Sequence, residues 1–256
     1  MFNSYQDWLF RRRRRFEDPD LSAQIIQADG YLYSEYKFIT ERLISGLDLD
    51  FSRGKPVVME VGSAGGITKS LFKDVVTTDV RSAIGVDLLI ENNQLPTETE
   101  SLDGLFGKDV LHHIPEIQIH FDEMFRTLKV GGSAIYSEPN WNLFSRLVFT
   151  FLHPEPFYRK AKSWAFDTSD PMFANQALPF IVFVRDQRKF LTQNPKLQFS
   201  IFPPTLGLSY LLSGGLYNRT ILPSRFLIKL SNWERRSPHW MKLVGFNRII
   251  KITRVS

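Results

Sequence analysis

Glu60-Val61-Gly62-Ser63-Ala64-Gly65-Gly66 puts three glycines directly behind a short apolar run that begins at Val57. Without side chains to hold a ligand off, a turn of this kind lets backbone N–H groups approach and point at it, which suits a nucleotide-like molecule. Glu60, a charge near the end of an apolar run, requires a ligand or a partner. Carboxylates recur wherever later apolar runs end, at Asp79, Glu91, Asp109 and Glu138. Two acceptor oxygens on Asp79 match the spacing of two ribose hydroxyls, and an ordinary turn aspartate is the alternative. His112 and His113 add imidazoles that titrate near neutrality and can move a proton. Adjacent residues at a helix start diverge by about 100°, so at most one of the two is expected to face a pocket.

The elements that must carry these groups follow from hydrophobic periodicity. Apolar runs at 57–61, 75–79, 86–90, 102–107 and 133–137, the first two rich in β-branched residues, alternate with helical or turn segments, which predicts a doubly wound α/β sheet of parallel strands. Ligands of such sheets sit beyond the carboxyl ends of the strands, where the carboxylates fall. Leu32, Tyr36, Ile39, Leu43 and Leu47 mark a helix before the first strand, expected to cover the sheet edge. Ile117, Phe121, Met124, Phe125 and Leu128 mark another, with Lys129-Val130-Gly131-Gly132 as its C-terminal stop. A helix over 224–235 and alternating runs at 197–201 and 249–255 complete the reading, and 211–215 is expected to be a loop. The stretch 141–183 is rich in aromatics and proline, including His153-Pro154-Glu155-Pro156-Phe157, and is expected to lie over the open end of the pocket or to build a small core of its own. The predicted divisions are a basic arm and helical cap at 1–50, a cofactor-binding core at 51–140, the aromatic insertion at 141–183 and a C-terminal completion of the sheet at 184–256.

Composition narrows the chemistry. A chain of 256 residues with 43% hydrophobic and 23% charged residues has room for one α/β domain with an insertion. The absence of cysteine excludes disulfides, thiolate zinc sites and cysteine nucleophiles, and no metal site is expected. The net charge of +5 rests on Arg11, Arg12, Arg13, Arg14 and Arg15, without which it would be neutral. Flanked by Trp8, Leu9, Phe10 and Phe16, these arginines suit an anionic membrane surface, a nonspecific contact with nucleic acid or plain solvation. The N-terminus has its charges after an apolar patch, the reverse of an export signal, and the run 141–152 is shorter than the roughly 20 residues of a spanning helix. The expectation is a cytoplasmic protein, peripheral at a membrane if the arm engages it.

The dinucleotide fingerprint G-x-G-x-x-G, laid on Gly62, would need glycine at positions 64 and 67, where the chain has Ala64 and Ile67. The pattern Glu60-x-Gly62-x-Ala64-x-Gly66 instead resembles motif I of the class I S-adenosylmethionine-dependent methyltransferases, with Ala64 the one departure. Val110-Leu111-His112-His113-Ile114 resembles the junction beyond the fourth strand in the type 11 group of that family. Over the wider chain the layout is similar to members found among bacterial surface-polysaccharide functions. The resemblance implies a seven-stranded sheet whose last strand is antiparallel and enters between the fifth and sixth. It also implies S-adenosylmethionine as cofactor, held by Glu60, Gly62, Ala64, Gly65, Gly66 and Asp79, with Glu91 and Asn92 by the adenine and Asp109 beneath the sulfonium. His113, then His112, is the expected proton acceptor for a hydroxyl of a glycan or lipid-linked small molecule. An NAD-dependent oxidoreductase or epimerase and a catalytically silent cofactor-binding module remain the alternatives.

Overall fold

Val58–Val61 (β1) is buried along its whole length, as a strand with helices on both faces must be. It is the third strand of a seven-stranded sheet in a computed structural model that describes residues 18–90, 94–153, 155–167, 174–217 and 222–256. The other strands are Val76–Asp79 (β2), Leu88–Leu89 (β3), Leu102–Lys108 (β4), Leu128–Pro139 (β5), Leu197–Phe202 (β6) and Asn247–Arg254 (β7). They lie in the order β3-β2-β1-β4-β5-β7-β6. The first five are parallel, and β7 runs antiparallel to both β5 and β6. This is the α/β sheet expected from the sequence. The order reverses between β1 and β4, so the crevice beyond their carboxyl ends is the place such a sheet offers a ligand.

Alternate residues of the central strands serve two cores. Met59, Leu105 and Tyr136 face one layer with Ile117–Thr127 (α4) and the turns Leu178–Phe180 (α6) and Ile181–Arg185, where Phe121 meets Phe190 edge to face at 5.1 Å. Val58, Phe106 and Ile135 face the other with Gly30–Ser45 (α2) and Leu143–Phe151 (α5). A third cluster joins Pro19–Ala28 (α1), α2 and Ser224–Arg235 (α9) through Ile26, Tyr31 and Leu227.

Four expectations about the elements change. Helix α2 covers a face of the sheet, not its edge: Ile39, Leu43 and Leu47 pack with Val58, Phe106 and Ile135. Lys129 to Gly132 do not end α4. The backbone turns extended at Leu128 and β5 begins there, with Lys129 donating to Asp103 at 2.8 Å and Gly131 at φ +84°. Residues 208–213 form a helix, Leu208–Ser213 (α8), where a loop was expected over 211–215. The stretch after β5 builds no separate core among its described residues, since Phe149 joins one sheet face and Trp164, Ala177 and Leu178 join the other. Its residues Pro154 and 168–173 lie outside the described residues, as does the arginine run 11–15.

Candidate active site

The turn after β1 is built by backbone that only small residues tolerate. Gly62 has φ +69°, and a Cβ there would stand 2.7 Å from Val110 Cγ2. Ala64, at φ +47°, carries left-handed strain that a glycine would not. Gly65 lies so close to Pro19 and Ala23 that any side chain would strike α1. Asp79, at the end of β2, closes the turn: Oδ2 accepts the Ala64 N–H at 2.9 Å and Oδ1 the Arg81 N–H at 2.9 Å. Ser63 Oγ is buried in this wall without a hydrogen-bond partner among the described residues, a polar atom that a bound ligand would satisfy.

Two residues expected to touch a cofactor stand behind the wall instead. Glu60 is fully buried, accepting from Thr68 Oγ1 at 2.8 Å and pairing with Lys108 Nζ at 2.8 Å. One oxygen thus holds Lys108, which does line the cavity and also donates to Thr40 and Thr68, while Glu60 Oε2 is buried with no hydrogen-bond partner among the described residues. Gly66 abuts the backbone of Ile84 and Gly85. Glu91 and Asn92 lie outside the described residues, while their neighbours Ile90 and Leu95 line the cavity.

Beyond β4 the chain forms the floor. Asp109 takes φ +51° and projects into the cavity. Its accessible surface is therefore cavity surface deep inside the protein, and burial, reinforced by Glu138 and Glu155 against His112 and Lys108, pushes its carboxyl up to about 7. Glu138, buried at the end of β5, accepts the N–H groups of Val110 at 3.0 Å and Leu111 at 2.8 Å through one oxygen, and its other oxygen stands 2.7 Å from His112 Nδ1. His112 Nε2 faces Gln176 Nε2 at 3.2 Å and Glu155 Oε2 at 3.7 Å. Burial opposes charge on His112, but Glu138 and Glu155 overcome it and push the imidazole up to about 10. His113 Nε2 lies 3.8 Å from Glu155 Oε1, and Glu155 is held in turn by the Gln176 amide.

Both histidines line the cavity, against the expectation that at most one would. They sit in a tight turn, Leu111–His113, with ring centroids 4.5 Å apart, and Glu155 reaches both. Glu138, Glu155 and Gln176 were not singled out for a role by the sequence, although His-Pro-Glu-Pro-Phe and the Asn175-Gln176 stretch stood out from the core pattern. Tyr36 was read as part of an apolar helix face. It lines the cavity, hydrogen-bonded to Tyr210, and burial with the nearby Asp109 pushes its hydroxyl up to about 12. Where no metal site was expected, one group among the described residues, His112, His113 and Glu155, brings its donor atoms within 4.8 Å of one another.

The glycine turn, Asp79, Asp109 and both histidines line one cavity of about 1120 Å³, larger than the roughly 300–1,000 Å³ of a typical single-ligand pocket. Its lining is mixed: Ser63, Asp79, Lys108, Asp109, His112 and Glu155 are polar, and Phe149, Leu152, Leu206, Leu211, Leu216 and Phe246 are apolar. The volume accommodates a nucleoside-type ligand and a second molecule together.

Residues 60–136 match the family described as methyltransferase domain. A search of curated proteins finds no match. Among solved structures the chain is similar to geranyl diphosphate C-methyltransferase from Streptomyces coelicolor A3(2), crystallised with Mg2+, geranyl diphosphate and S-adenosyl-L-homocysteine. The TM-score is 0.50 at 13% identity, over 93% of this chain and 84% of that one. It is also similar to a geranyl diphosphate methyltransferase in complex with SAM, with a TM-score of 0.51 at 13% identity over 92% and 90% of the two chains. At these identities the likeness is one of fold.

Proposed function

We propose that this chain, which carries a methyltransferase domain over residues 60–136 on the class I fold, transfers a methyl group from S-adenosylmethionine to a hydroxyl of a small acceptor. When bound, S-adenosylmethionine supplies a methyl already activated on a sulfonium. Asp79 holds the ribose, the backbone of Gly62 to Gly65 with the unpartnered Ser63 hydroxyl receives the polar end, and Ile90 and Leu95 flank the base. Asp109, at the end of β4, stands beneath the reacting centre.

The observation that carries the reading is a single cavity. It joins the Asp79-bound glycine turn at the β1–β4 switch point to the histidines and carboxylates beyond β4 and to a set of apolar side chains. Closing acceptor and methyl donor together in that space supplies orientation, the main requirement of a transfer from an activated donor. His113 is the group placed against the acceptor hydroxyl, where its proton is drawn off. His112, bonded to Glu138 and facing Glu155, orients this floor. Polar groups and apolar side chains in one cavity suit an acceptor with a hydroxylated head and an apolar body, such as a lipid-linked glycan. Calorimetry tests the cofactor: S-adenosylhomocysteine is expected to bind and NAD not, and the reverse would overturn the reading in favour of an oxidoreductase. Binding without turnover of any hydroxylated acceptor would favour a silent module.

Location belongs to the same reading. No helix among the described residues is long and apolar enough to cross a membrane. Helix α5 instead exposes Leu143, Leu147 and Phe151 beside Leu152 of the cavity wall. Helices α9 and Pro238–Val244 (α10) expose Phe226, Trp233 and Leu243 among Arg225, Lys229, Arg236 and Lys242. These exposed apolar and basic groups, and the sequence's Arg11 to Arg15 with each basic group worth about 1 kcal/mol against anionic lipid, fit a peripheral contact at the inner side of a membrane. Pelleting with anionic vesicles is expected to weaken as salt rises and to fall when the five arginines become serine. Unchanged pelleting after that replacement would remove the arm from the reading.

A further inference from the structure

We propose that His112, His113 and Glu155 bind a divalent transition-metal ion at the floor of the cavity. Each of the three residues offers one donor atom, all within 4.8 Å of one another. His112 Nε2 stands 3.7 Å from Glu155 Oε2 and His113 Nε2 stands 3.8 Å from the other oxygen, Oε1. Two ligands about 2.0–2.1 Å from a tetrahedral ion lie about 3.3 Å apart, so closing the set requires the Glu155 carboxylate to turn one oxygen towards both imidazoles and the widest separation to contract by up to about 1.5 Å.

The surroundings are those of a ligand set. A metal-binding histidine donates its second ring N–H to a carboxylate, which fixes the tautomer and aims the other nitrogen at the ion. His112 has that partner in Glu138, 2.7 Å from Nδ1, and Glu138 is itself fixed by two backbone N–H groups. Gln176 holds Glu155. His153 Nδ1 stands 4.0 Å from the same Glu155 oxygen, at the rim. Charge points the same way. Three carboxylates, Asp109, Glu138 and Glu155, converge on His112, and Lys108 beside them is paired with the buried Glu60, so a divalent ion that takes the place of the His112 Nε2 proton meets an acidic surround. Two imidazoles and one carboxylate without a thiol suit Zn2+, Mn2+, Fe2+ or Co2+ above Mg2+ or Ca2+. Three protein ligands leave positions open towards the cavity, the pattern of a reactive site and not of a structural one.

The use of such an ion rests on the methyltransferase reading. The acceptor oxygen takes an open position, its O–H proton becomes acidic and leaves to solvent, and the ion-held oxygen forms the O–CH3 bond as the S–CH3 bond breaks, releasing S-adenosylhomocysteine. His113 is then a ligand, and the ion does what an imidazole base would otherwise do.

The test uses tag-free full-length protein stripped with a chelator, titrated separately with Co2+, Zn2+ and Mg2+ and followed by calorimetry and the visible spectrum of the Co2+ form. One Zn2+ or Co2+ per chain is expected, with an imidazole-type Co2+ spectrum and much weaker Mg2+ binding. His113→Ala and Glu155→Gln are each expected to weaken Zn2+ binding at least tenfold, and Glu138→Gln by about 10- to 100-fold as an outer-shell partner. S-adenosylhomocysteine titrations of the same variants check folding and separate the two readings. Retained nucleoside binding with no Zn2+ or Co2+ uptake by the wild type, or uptake equal in wild type, His113→Ala and Glu155→Gln, overturns the metal site and leaves the methyltransferase reading standing. Ion uptake without S-adenosylhomocysteine binding keeps the site and removes the methyl-transfer role.

Discussion

Asp79→Ala separates a cofactor-binding carboxylate from a turn aspartate. In the folded chain Asp79 accepts the N–H groups of Ala64 and Arg81 at 2.9 Å each, and Arg81 Nε stands 3.4 Å from it. A carboxylate offers about four acceptor positions, so these three contacts leave about one for a ribose hydroxyl, and the second hydroxyl gains its acceptor by displacing Arg81 Nε, the longest of the three. Losing charge-assisted bonds to a ligand costs about 1.5–3 kcal/mol, which is about a 10- to 150-fold rise in the Kd for S-adenosylhomocysteine. Alanine also strands the Ala64 N–H, and the fold itself loses about 1–3 kcal/mol. Asp79→Asn keeps one acceptor oxygen and the shape while removing the charge, so it should weaken binding about tenfold with a smaller loss of stability. Calorimetry gives the affinities and ligand-free urea melts the stabilities. If both variants bind within twofold of wild type, the ribose does not sit on β2 and the cofactor geometry is wrong, whatever the melts report.

Three further outcomes follow from the same coordinates. Ala64→Gly removes left-handed strain of about 1–2 kcal/mol against a glycine entropy cost of about 0.5–1, so the melting temperature should hold or rise; a clear fall would mean that Ala64 packs productively. Gly62→Val meets both a positive φ and Val110, and should cost about 2 kcal/mol or more in urea melts; a neutral result would contradict the turn geometry. His120 is buried with Nε2 2.8 Å from the Tyr136 hydroxyl, and burial lowers it from 6.5 to about 4. The native state therefore binds fewer protons than the unfolded chain between those values. The stabilisation is present above pH 6.5 and lost as pH falls towards 4, by about 3 kcal/mol at 1.36 kcal/mol per unit. His120→Gln should flatten that part of the stability profile in urea melts at about pH 7 and about pH 5, and an unchanged slope would refute the assignment.

The sheet was legible because its signal is local. Each buried parallel strand is a short apolar run with a carboxylate or glycine at or just beyond its end, β-branched in β1 and β2, and the αL positions Gly62 and Gly66 show as glycines. Asp79 was readable for the same reason, being both a strand end and a partner of the turn beside it. What the sequence concealed is convergence over long separations. Glu155 and Gln176 reach His112 from 43 and 64 positions away, through a stretch with no periodicity, and nothing local tells a cavity glutamate from a surface one. Glu60 shows the opposite difficulty, since the structure pairs one of its oxygens with Lys108 and leaves the other without a hydrogen-bond partner among the described residues. A buried charge needs a partner, and whether that is a ligand or Lys108 depends on the side-chain direction at the end of β4, which spacing does not reveal. The two histidines were judged by ideal helical divergence, whereas a tight 3-10 turn brings their rings together.

The place of β7 sets the order in which this molecule is finished. It is the last strand in the sequence, yet it is hydrogen-bonded between β5 and β6, pairing Ser133–Pro139 on one side and Leu197–Phe202 on the other. As the chain leaves the ribosome, β5 and β6 have no ladder between them until residues 247–254 emerge, and both then present open edges able to pair with another nascent chain. The floor matures late too, since Glu138 lies opposite Arg248 and Asn247 of β7 lines the cavity. A polypeptide ending before residue 247 would thus carry an intact glycine turn and an unfinished floor. Competence to grip the nucleoside would precede, during synthesis, competence to act on the second molecule.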